Sequence, residues 1–426
     1  MKREWAKGAV WALLEQASFS GSNFLFGLLL ARWLSPDRYG AYVLAYALFL
    51  FLAGVHNALI LEPMSVLGPS RQGQQLDDYF SIQLRLHFLL TALLAVVVAL
   101  SGFVLFCAWP QNPLGMVLTT SGLTLPLILY YWTLRRQLYI SGKIGYAVIS
   151  NGLYAGLTLV VATRVHQWGL LTPETAFLIM GAAGTVAGCI PIPGRGRWWN
   201  GLTPWADMKR TLQANWMFGR WLLGASLLAL GSTQAQTLLL GWWAGAEAAG
   251  ILQAMMNFML PMTQTVTAAS TWMLPVFARD FGEGKLAQLR SNSLVMMVLL
   301  TACALAYWLL LWGGGDLLER LIYGGRYVGY VWLIPIIGLV PVITAAAAVY
   351  SVTLRAFQRP DLHFATIALQ AVTGLLTALW MIPQWRVAGA AYSIVATYLM
   401  AGWMTYMMYR KALAGLDEKN VSERTE

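Results

Sequence analysis

The chain has 426 residues, of which 58% are hydrophobic and only 11% are charged, and its mean hydropathy is +0.60. A soluble globular protein carries about 25% charged residues, so this chain has too few charges to cover a surface exposed to water. The composition predicts an all-α polytopic membrane protein. The net charge of +10 does not indicate a nucleic-acid partner, because the basic residues lie between apolar runs and not on one soluble face.

Twelve apolar segments are long enough to cross a bilayer core, which needs about 20 residues per helix. Their approximate bounds are 9–32, 41–61, 84–108, 114–134, 144–163, 173–192, 217–240, 249–275, 292–312, 328–354, 362–383 and 387–409. In the second segment, Glu62 and Pro63 are predicted to end or to kink the helix. The longest loop on the outer side is predicted to run from about Gly313 to Tyr327.

The basic residues predict how the segments are oriented. If the N-terminus is placed in the cytoplasm, 22 of the 28 Lys and Arg residues fall on the cytoplasmic side. Cytoplasmic loops carry this excess of positive charge, so we expect both termini to be cytoplasmic. The basic N-terminus leads into an apolar run that Glu15 and Gln16 interrupt, with no clear cleavage site. We interpret this run as a retained first span and not as a signal peptide.

The two halves of the chain form an internal repeat. When the chain is shifted by 210 residues, 11–40 aligns with 221–250 without a gap, with 9 identities in 30 positions. The identities include two tryptophan pairs, Trp11 with Trp221 and Trp33 with Trp243. Two six-helix halves that enter the membrane in the same sense should be related by a pseudo-two-fold axis along its normal.

The repeat gives the predicted domain organisation. We expect an N-terminal six-helix lobe over 1–205, a C-terminal six-helix lobe over 206–411 and a cytoplasmic tail over 412–426. The predicted fold is therefore about twelve transmembrane helices in two pseudo-symmetric lobes. Transporters built from such repeats bind substrate where the repeats meet and move by rocking one repeat against the other, so transport is the leading function class.

Polar side chains are concentrated in the first two predicted spans of each half. Polar groups are costly in hydrocarbon and usually face a bundle interior or a water-filled cavity. For the whole set we favour a common substrate cavity, whereas a single serine is better explained as a hydrogen bond between helices. The candidate cavity residues are Glu15, Gln16, Ser22, Asn23, Asn57, Thr233, Gln234, Gln236 and Asn257.

Charged residues in or near the spans leave two interpretations open. Glu15 is an acid well inside a predicted span, so it is either a proton- or cation-linked site or the partner of a nearby arginine. Arginines at span ends either bind phosphate with the guanidinium fork or set the topology by reaching the interface. The phosphate-contact candidates are Arg32, Arg135, Arg220 and Arg355.

No motif in the sequence predicts a cofactor, a metal or covalent catalysis. The three cysteines are scattered singly, and the four histidines have no metal-binding spacing. The glycines at 313–315 and 324–325 are not followed by Lys and Ser or Thr, as a nucleotide-binding loop would require. We therefore expect neither a cofactor nor a metal site, and we expect that the protein is not an enzyme.

Four short segments resemble motifs of Wzx-type polysaccharide flippases, which belong to the multidrug/oligosaccharidyl-lipid/polysaccharide exporter (MOP) superfamily. They are Leu30–Tyr42 between the first two spans, Tyr323–Tyr327 before the tenth, Leu354–Pro360 after the tenth, and Ile382–Ala391 at the start of the last span. The likeness extends over nearly the whole chain. One departure is Gln137–Lys143, where the turn in the first half is longer than the matching turn in the second.

The resemblance implies a membrane flippase of polysaccharide biosynthesis. Such a protein moves a polyprenyl-diphosphate-linked oligosaccharide from the cytoplasmic to the periplasmic leaflet of the bacterial inner membrane, for example during exopolysaccharide or O-antigen assembly. The implied partners are the lipid-linked oligosaccharide, membrane lipids and other polysaccharide-assembly proteins. A sugar headgroup needs hydroxyl and amide partners and a diphosphate needs cations, which agrees with the candidate residues.

Three other functions stay open at this stage. The first is a drug or cation antiporter of the same superfamily, for which Glu15 alone gives thin support. The second is a membrane glycan polymerase or ligase, although the large external loop with Arg and His that such enzymes usually carry is missing. The third is a flippase of lipid-linked peptidoglycan precursors, a group that commonly has more than twelve spans.

Overall fold

A computed structural model of the protein describes residues 18, 20–69, 71, 74–190, 205–357 and 360–425. The described residues contain α-helices, short π and 3-10 turns, and no strand. They divide into two compact units, residues 1–230 and 231–426. The division falls inside one long helix. The lobe bounds predicted from the sequence repeat stay a prediction.

Within the described residues, the predicted spans coincide with single helices or with two helices joined by a short irregular turn. The helices before that long helix are α1 (20–33), α2 (Pro36–His56), α3 (Glu62–Leu67), α4 (Gln74–Ala108), α5 (Leu114–Ile140), α6 (Ile144–Gln167) and α7 (Pro173–Gly188). The remaining helices are α8 (Trp205–Ala244), α9 (Ala246–Met256), α10 (Leu260–Gly282), α11 (Leu286–Tyr323), α12 (Leu333–Ile337), α13 (Leu339–Ala356) and α14 (Pro360–Thr425). Helix α14 consists of two helices that meet at a kink at Arg386.

Seven of the described helical stretches are long and apolar enough to cross a membrane. They are Pro36–Leu67, Gln74–Ala108, Leu114–Ile140, Ile144–Gln167, Leu286–Tyr323, Leu333–Ala356 and Ala365–Ala414. The other helices are shorter or more polar; α7, for example, has 16 residues. The chain is an all-α integral membrane protein, as its composition predicts.

The helix starts follow the sequence repeat. Helix α2 begins at Pro36 and α9 at Ala246, which is the 210-residue shift of the aligned segments. Helices α4 and α11 begin at Gln74 and Leu286, two residues further apart. These two pairs of helix starts therefore keep the spacing of the sequence repeat to within two residues.

A π-helical turn, Asn57–Leu61, interrupts the second span at the point where the sequence predicts an end or a kink. The Glu62 N–H donates to the carbonyl of Asn57, and Pro63 has no N–H to donate. The carbonyl of Ala58 therefore lacks its regular helical donors. Helix α8 approaches at this place through Gly219, where a Cβ would lie 2.5 Å from the Ala58 oxygen. Only glycine permits so close an approach.

A buried amide pair fixes the first half of α8 against α4. Gln83 Nε2 donates to Asn215 Oδ1 at 3.1 Å, and Asn215 Nδ2 donates to Gln83 Oε1 at 2.9 Å. Both side chains are fully buried. Each amide satisfies the other, so neither carries an unpaired polar group into the helix contact. Gln83 Nε2 also lies 2.7 Å from the Tyr79 hydroxyl.

The second unit packs around α10, α11 and α13. Their apolar core contains Met273, Phe277, Leu300 and Val349. Asn292 Nδ2 of α11 donates to Asp280 Oδ2 of α10 at 2.9 Å and joins the two helices next to their connecting turn. The structure thus pairs a nearly buried acid with a neutral amide donor, which lowers the cost of burying the charge.

Helix α11 is longer than the sequence predicts. The segment from Gly313 to Tyr327 is not an external loop, because the helix continues through the three glycines and ends at Tyr323. A side chain at Gly315 would approach Val331 Cγ1 at 3.2 Å, so a small residue lets the chain after α11 pack against the helix. Gly324, with φ of 69°, ends the helix in the left-handed conformation that glycine favours.

We predict that Asn215→Ala destabilises the protein, because it leaves the buried Gln83 amide without its reciprocal partner. Hydrogen bonds between membrane helices contribute about 0.6 to 1.7 kcal/mol, so we expect the free energy of unfolding to fall by about 1 kcal/mol. The midpoint of thermal unfolding in detergent measures this change. The control is Gln83→Leu combined with Asn215→Leu, which removes both amides and should restore part of the stability. If the double variant is less stable than Asn215→Ala, the unpaired Gln83 amide is not the cause of the lost stability.

Candidate functional site

The polar stripe of the first span lies partly within the described residues. Glu15 and Gln16 lie outside them. Ser22 is buried, and Asn23 accepts a hydrogen bond at Oδ1 from the Tyr154 hydroxyl of α6 at 3.4 Å. For Asn23 the structure therefore shows a contact between two helices of the same unit. Whether this stripe also contacts substrate stays a proposal.

Asn57 lies in the π-helical turn and belongs to a charged network. Its Nδ2 is 3.5 Å from Glu62 Oε1, five residues further along the chain. Glu62 Oε1 is in turn 3.7 Å from Nη2 of Arg136 on α5, and Arg136 Nη1 donates to Ser65 Oγ at 3.0 Å. Both charged side chains are about one-third exposed, at 35% for Arg136 and 36% for Glu62. The extra residue of the π turn brings Asn57 and Glu62 onto the same face.

Two buried histidines meet beside this turn. His56 Nε2 and His87 Nδ1 are 2.9 Å apart, and Thr133 Oγ1 lies 3.4 Å from each of them. All three side chains are fully buried, and they come from α2, α4 and α5. In this pair one imidazole donates its N–H to the bare nitrogen of the other. The contact joins three helices at the level where α2 is irregular.

The candidate residues of α8 lie in the half of the helix that belongs to the second unit. Gln236 is buried and lies beside Gly374 of α14, where a Cβ would be 3.1 Å from its Nε2. Gln234 is half-buried. For Thr233 the structure describes the helical backbone only. The three residues lie on α8, the helix that the repeat matches with the first span.

Asn257 lies in the 3-10 turn Asn257–Met259 that separates α9 from α10. Its Nδ2 donates to the Tyr323 hydroxyl at 3.3 Å, and its Oδ1 accepts from Gln253 Nε2 at 3.2 Å. The Tyr323 hydroxyl donates to the carbonyl of Ala254 at 2.9 Å. Asn257 thus joins α9 to the end of α11, at the tyrosine that begins one of the flippase-like motifs.

The four candidate phosphate contacts differ in their surroundings. Arg32, Arg220 and Arg355 are exposed, and the Arg220 guanidinium lies 5.4 Å from the centre of the Trp221 ring. Arg135 is half-buried, with its guanidinium 5.9 Å from the centre of the Tyr131 ring.

The structure also reveals polar residues that the sequence did not single out. Glu319 of α11 is completely buried; its Oε1 accepts from the Tyr327 N–H at 2.7 Å, and its Oε2 has no partner among the described residues. Glu62 and Arg136 are 74 positions apart in sequence, so no local pattern relates them.

In the described part of the chain, no three His, Cys, Asp or Glu side chains are grouped so that they could hold a metal ion.

The comparison with protein families decides the identity of the chain. The sequence profile of a family described as polysaccharide biosynthesis protein matches residues 29–332. The chain belongs to this family. No curated protein sequence matches it significantly. The family assignment agrees with the resemblance of its short motifs to polysaccharide flippases.

The fold is that of MOP superfamily transporters. An inward-facing multidrug resistance MATE family transporter aligns with a TM-score of 0.76 and 12% identity, covering 96% of this chain and 99% of that chain. The lipid II flippase MurJ, in an inward closed conformation, aligns with a TM-score of 0.72 and 11% identity, covering 98% and 93%. A MOP superfamily transporter from Pyrococcus furiosus gives 0.59 and 13%, covering 96% and 95%. The predicted class of about twelve helices in two six-helix lobes is confirmed.

We predict that two amides of the second unit respond differently to removal. Asn257→Ala removes hydrogen bonds to Gln253 and Tyr323. It should lower the free energy of unfolding by about 1 kcal/mol, which is seen as a lower midpoint of thermal unfolding. Gln234→Ala removes a half-buried amide and should leave that midpoint nearly unchanged. If Gln234 contacts substrate, transport falls in this variant at unchanged stability. Equal loss of stability in both variants would mean that Gln234 also joins helices.

Proposed function

We propose that this protein carries a polyprenyl-diphosphate-linked oligosaccharide from the cytoplasmic to the periplasmic leaflet of the bacterial cytoplasmic membrane, by alternating access. The observation that carries the proposal is the family match over 29–332 in a chain with the MOP transporter fold. Membership of a polysaccharide biosynthesis family favours a glycan substrate, and the transporter fold favours movement of that substrate across the membrane. The protein breaks no covalent bond in this process and is therefore proposed to act as a transporter and not as an enzyme.

The polar residues of the spans support this substrate chemically. Sugar hydroxyls need hydroxyl and amide partners, such as Ser22, Gln234 and Gln236, whereas the diphosphate needs cationic donors. Arginine suits phosphate because its planar fork can donate two parallel hydrogen bonds. The polyprenyl tail can stay in the lipid while the headgroup crosses. The partners in this proposal are the lipid-linked oligosaccharide, membrane lipids and other proteins of polysaccharide assembly.

Conservative variants at three candidate positions test the proposal in cells. Glu15→Gln preserves shape and removes one charge, which should not destabilise a membrane helix. Arg135→Lys and Arg355→Lys preserve the positive charge and the topology but lose the bidentate fork. If these residues act in transport, surface polysaccharide falls in each variant and does not recover at higher expression. Normal surface polysaccharide in all three variants, at matched protein levels, would remove these residues from the mechanism.

The second candidate function is a drug or cation antiporter, which the likeness to MATE transporters favours. Vesicles that contain the protein distinguish the two functions. An antiporter exports a cationic dye when an ion gradient is imposed, whereas a glycan flippase leaves the dye distribution unchanged. Dye export in cells that lack the polysaccharide genes would favour the antiporter over the flippase.

The proposal includes cytoplasmic termini, which reporter fusions can test. We expect fusions after Lys143 and after Lys411 to report a cytoplasmic location and a fusion after Glu247 to report a periplasmic one. The reason is the distribution of Lys and Arg over the loops. A periplasmic signal from the Lys411 fusion would contradict both the orientation and the count of twelve spans.

A further inference from the structure

The ion pair between Glu62 and Arg136 lies near the ends of two membrane helices. Glu62 belongs to the helical stretch Pro36–Leu67 and Arg136 to Leu114–Ile140, and each lies just beyond the apolar segment that the sequence predicts there. An arginine at the end of a span can bind phosphate with its guanidinium fork. Arg136 is not among the phosphate contacts that the sequence predicts, although the neighbouring Arg135 is.

The backbone positions both groups. The π-helical turn before Glu62 and the proline after it set the direction of the carboxylate, while Asn57 Nδ2 holds Oε1 at 3.5 Å. Arg136 extends from the last two turns of α5, and its Nη1 is held by Ser65 Oγ at 3.0 Å. The Ser65 hydroxyl donates to the carbonyl of Leu61 at 2.8 Å. The guanidinium is therefore fixed by a serine even without its acid.

Among the described residues, the geometry of the pair leaves N–H donors of the guanidinium available to another anion. The distance from Nη2 to Oε1 is 3.7 Å, which is longer than the roughly 2.7 to 2.9 Å typical of a charge-assisted hydrogen bond. The carboxylate thus neutralises Arg136 without occupying the fork in a bidentate way. Pairs this exposed contribute at most about 1 kcal/mol to stability. Replacing the carboxylate by another anion would therefore cost the fold little stability.

We propose that Arg136 and Ser65 bind a phosphate of the lipid diphosphate, and that Glu62 occupies the guanidinium until the phosphate displaces it. This inference rests on the proposed function. A carboxylate and a phosphate both present oxygens to the same arginine fork, so the two anions compete for one site. The pair is neutral without substrate, and the exposed edge of Glu62 lets the displaced carboxylate meet water.

Arg135 points elsewhere and is not part of this site. Its guanidinium lies over the Tyr131 ring at 5.9 Å, whereas that of Arg136 contacts Glu62 and Ser65. Adjacent residues on a helix are separated by about 100°, so they do not share a face. The two arginines are therefore distinguishable by substitution.

The competition predicts a gain of binding when the acid is neutralised. Glu62→Gln keeps the size of the side chain and removes the competing charge, so the purified full-length protein should bind polyprenyl diphosphate several-fold more tightly. Arg136→Gln should weaken binding about tenfold or more, since a hydrogen bond to a charged group contributes about 1.5 to 3 kcal/mol. Arg136→Lys keeps the charge without the fork and should lie between the wild type and Arg136→Gln.

The matched control is Arg164→Gln, which removes an exposed arginine of α6 whose Nη1 is bonded to Gln167. Its affinity should equal that of the wild type. Thermal unfolding in the same detergent confirms that each variant is folded. If Arg136→Gln does not fold, the comparison of Glu62→Gln with Arg136→Lys still decides the outcome, because the competition predicts changes of opposite sign.

Two probes separate this inference from the proposed function. Polyprenyl diphosphate without sugar tests the lipid substrate, and inorganic diphosphate tests the anion site alone. Binding of inorganic diphosphate that depends on Arg136, without binding of the lipid, would support the anion site and contradict the lipid substrate. Wild-type binding of the lipid that is unchanged in Arg136→Gln, or weakened in Glu62→Gln, would overturn the inference and leave the proposed function standing.

Discussion

Every backbone polar group that a helix carries into hydrocarbon must be satisfied inside the protein, and the second span shows how this constraint shapes the first unit. Pro63 has no N–H, and the Glu62 N–H donates to the Asn57 carbonyl, so the Ala58 carbonyl lacks its regular helical donors where Gly219 of α8 packs against it. The same turn brings Asn57 within 3.5 Å of Glu62. The irregular turn thus lies both at a close helix contact and beside a charged residue.

The same constraint separates residues that join helices from residues that can bind substrate. The Asn257 amide makes hydrogen bonds to Gln253 and Tyr323, and the Asn215 amide makes hydrogen bonds to Gln83. A group whose hydrogen bonds are all made inside one unit has little capacity left for a sugar. A guanidinium held loosely by one acid retains that capacity. Partly exposed groups such as Gln234 and Arg136 are therefore stronger candidates for substrate contacts than the buried Ser22 and Gln236.

Much of the fold follows from sequence, because span length and apolarity are local properties. The order of the helices was predictable in this way, and the 210-residue shift of the repeat also relates the observed helix starts at Pro36 and Ala246. The extension of α11 was not, since three consecutive glycines suggest a loop, whereas here Gly315 lets the following chain pack on the helix. The His56–His87 contact joins residues 31 positions apart on different helices, and a single sequence carries no signal for such a pairing.

The central claim is that the protein transfers a lipid-linked glycan between leaflets. Vesicles reconstituted with the purified chain, and loaded symmetrically with a fluorescent polyprenyl-diphosphate-linked oligosaccharide, allow a direct measurement with a membrane-impermeant reagent that quenches the headgroup. If the protein transfers the lipid, protein-containing vesicles lose nearly all fluorescence, because the inner pool of labelled lipid reaches the outer leaflet. Protein-free vesicles lose about half, because the lipid is divided equally between the two leaflets. Loss of half the fluorescence in both preparations, across the whole range of imposed ion gradients, would contradict it.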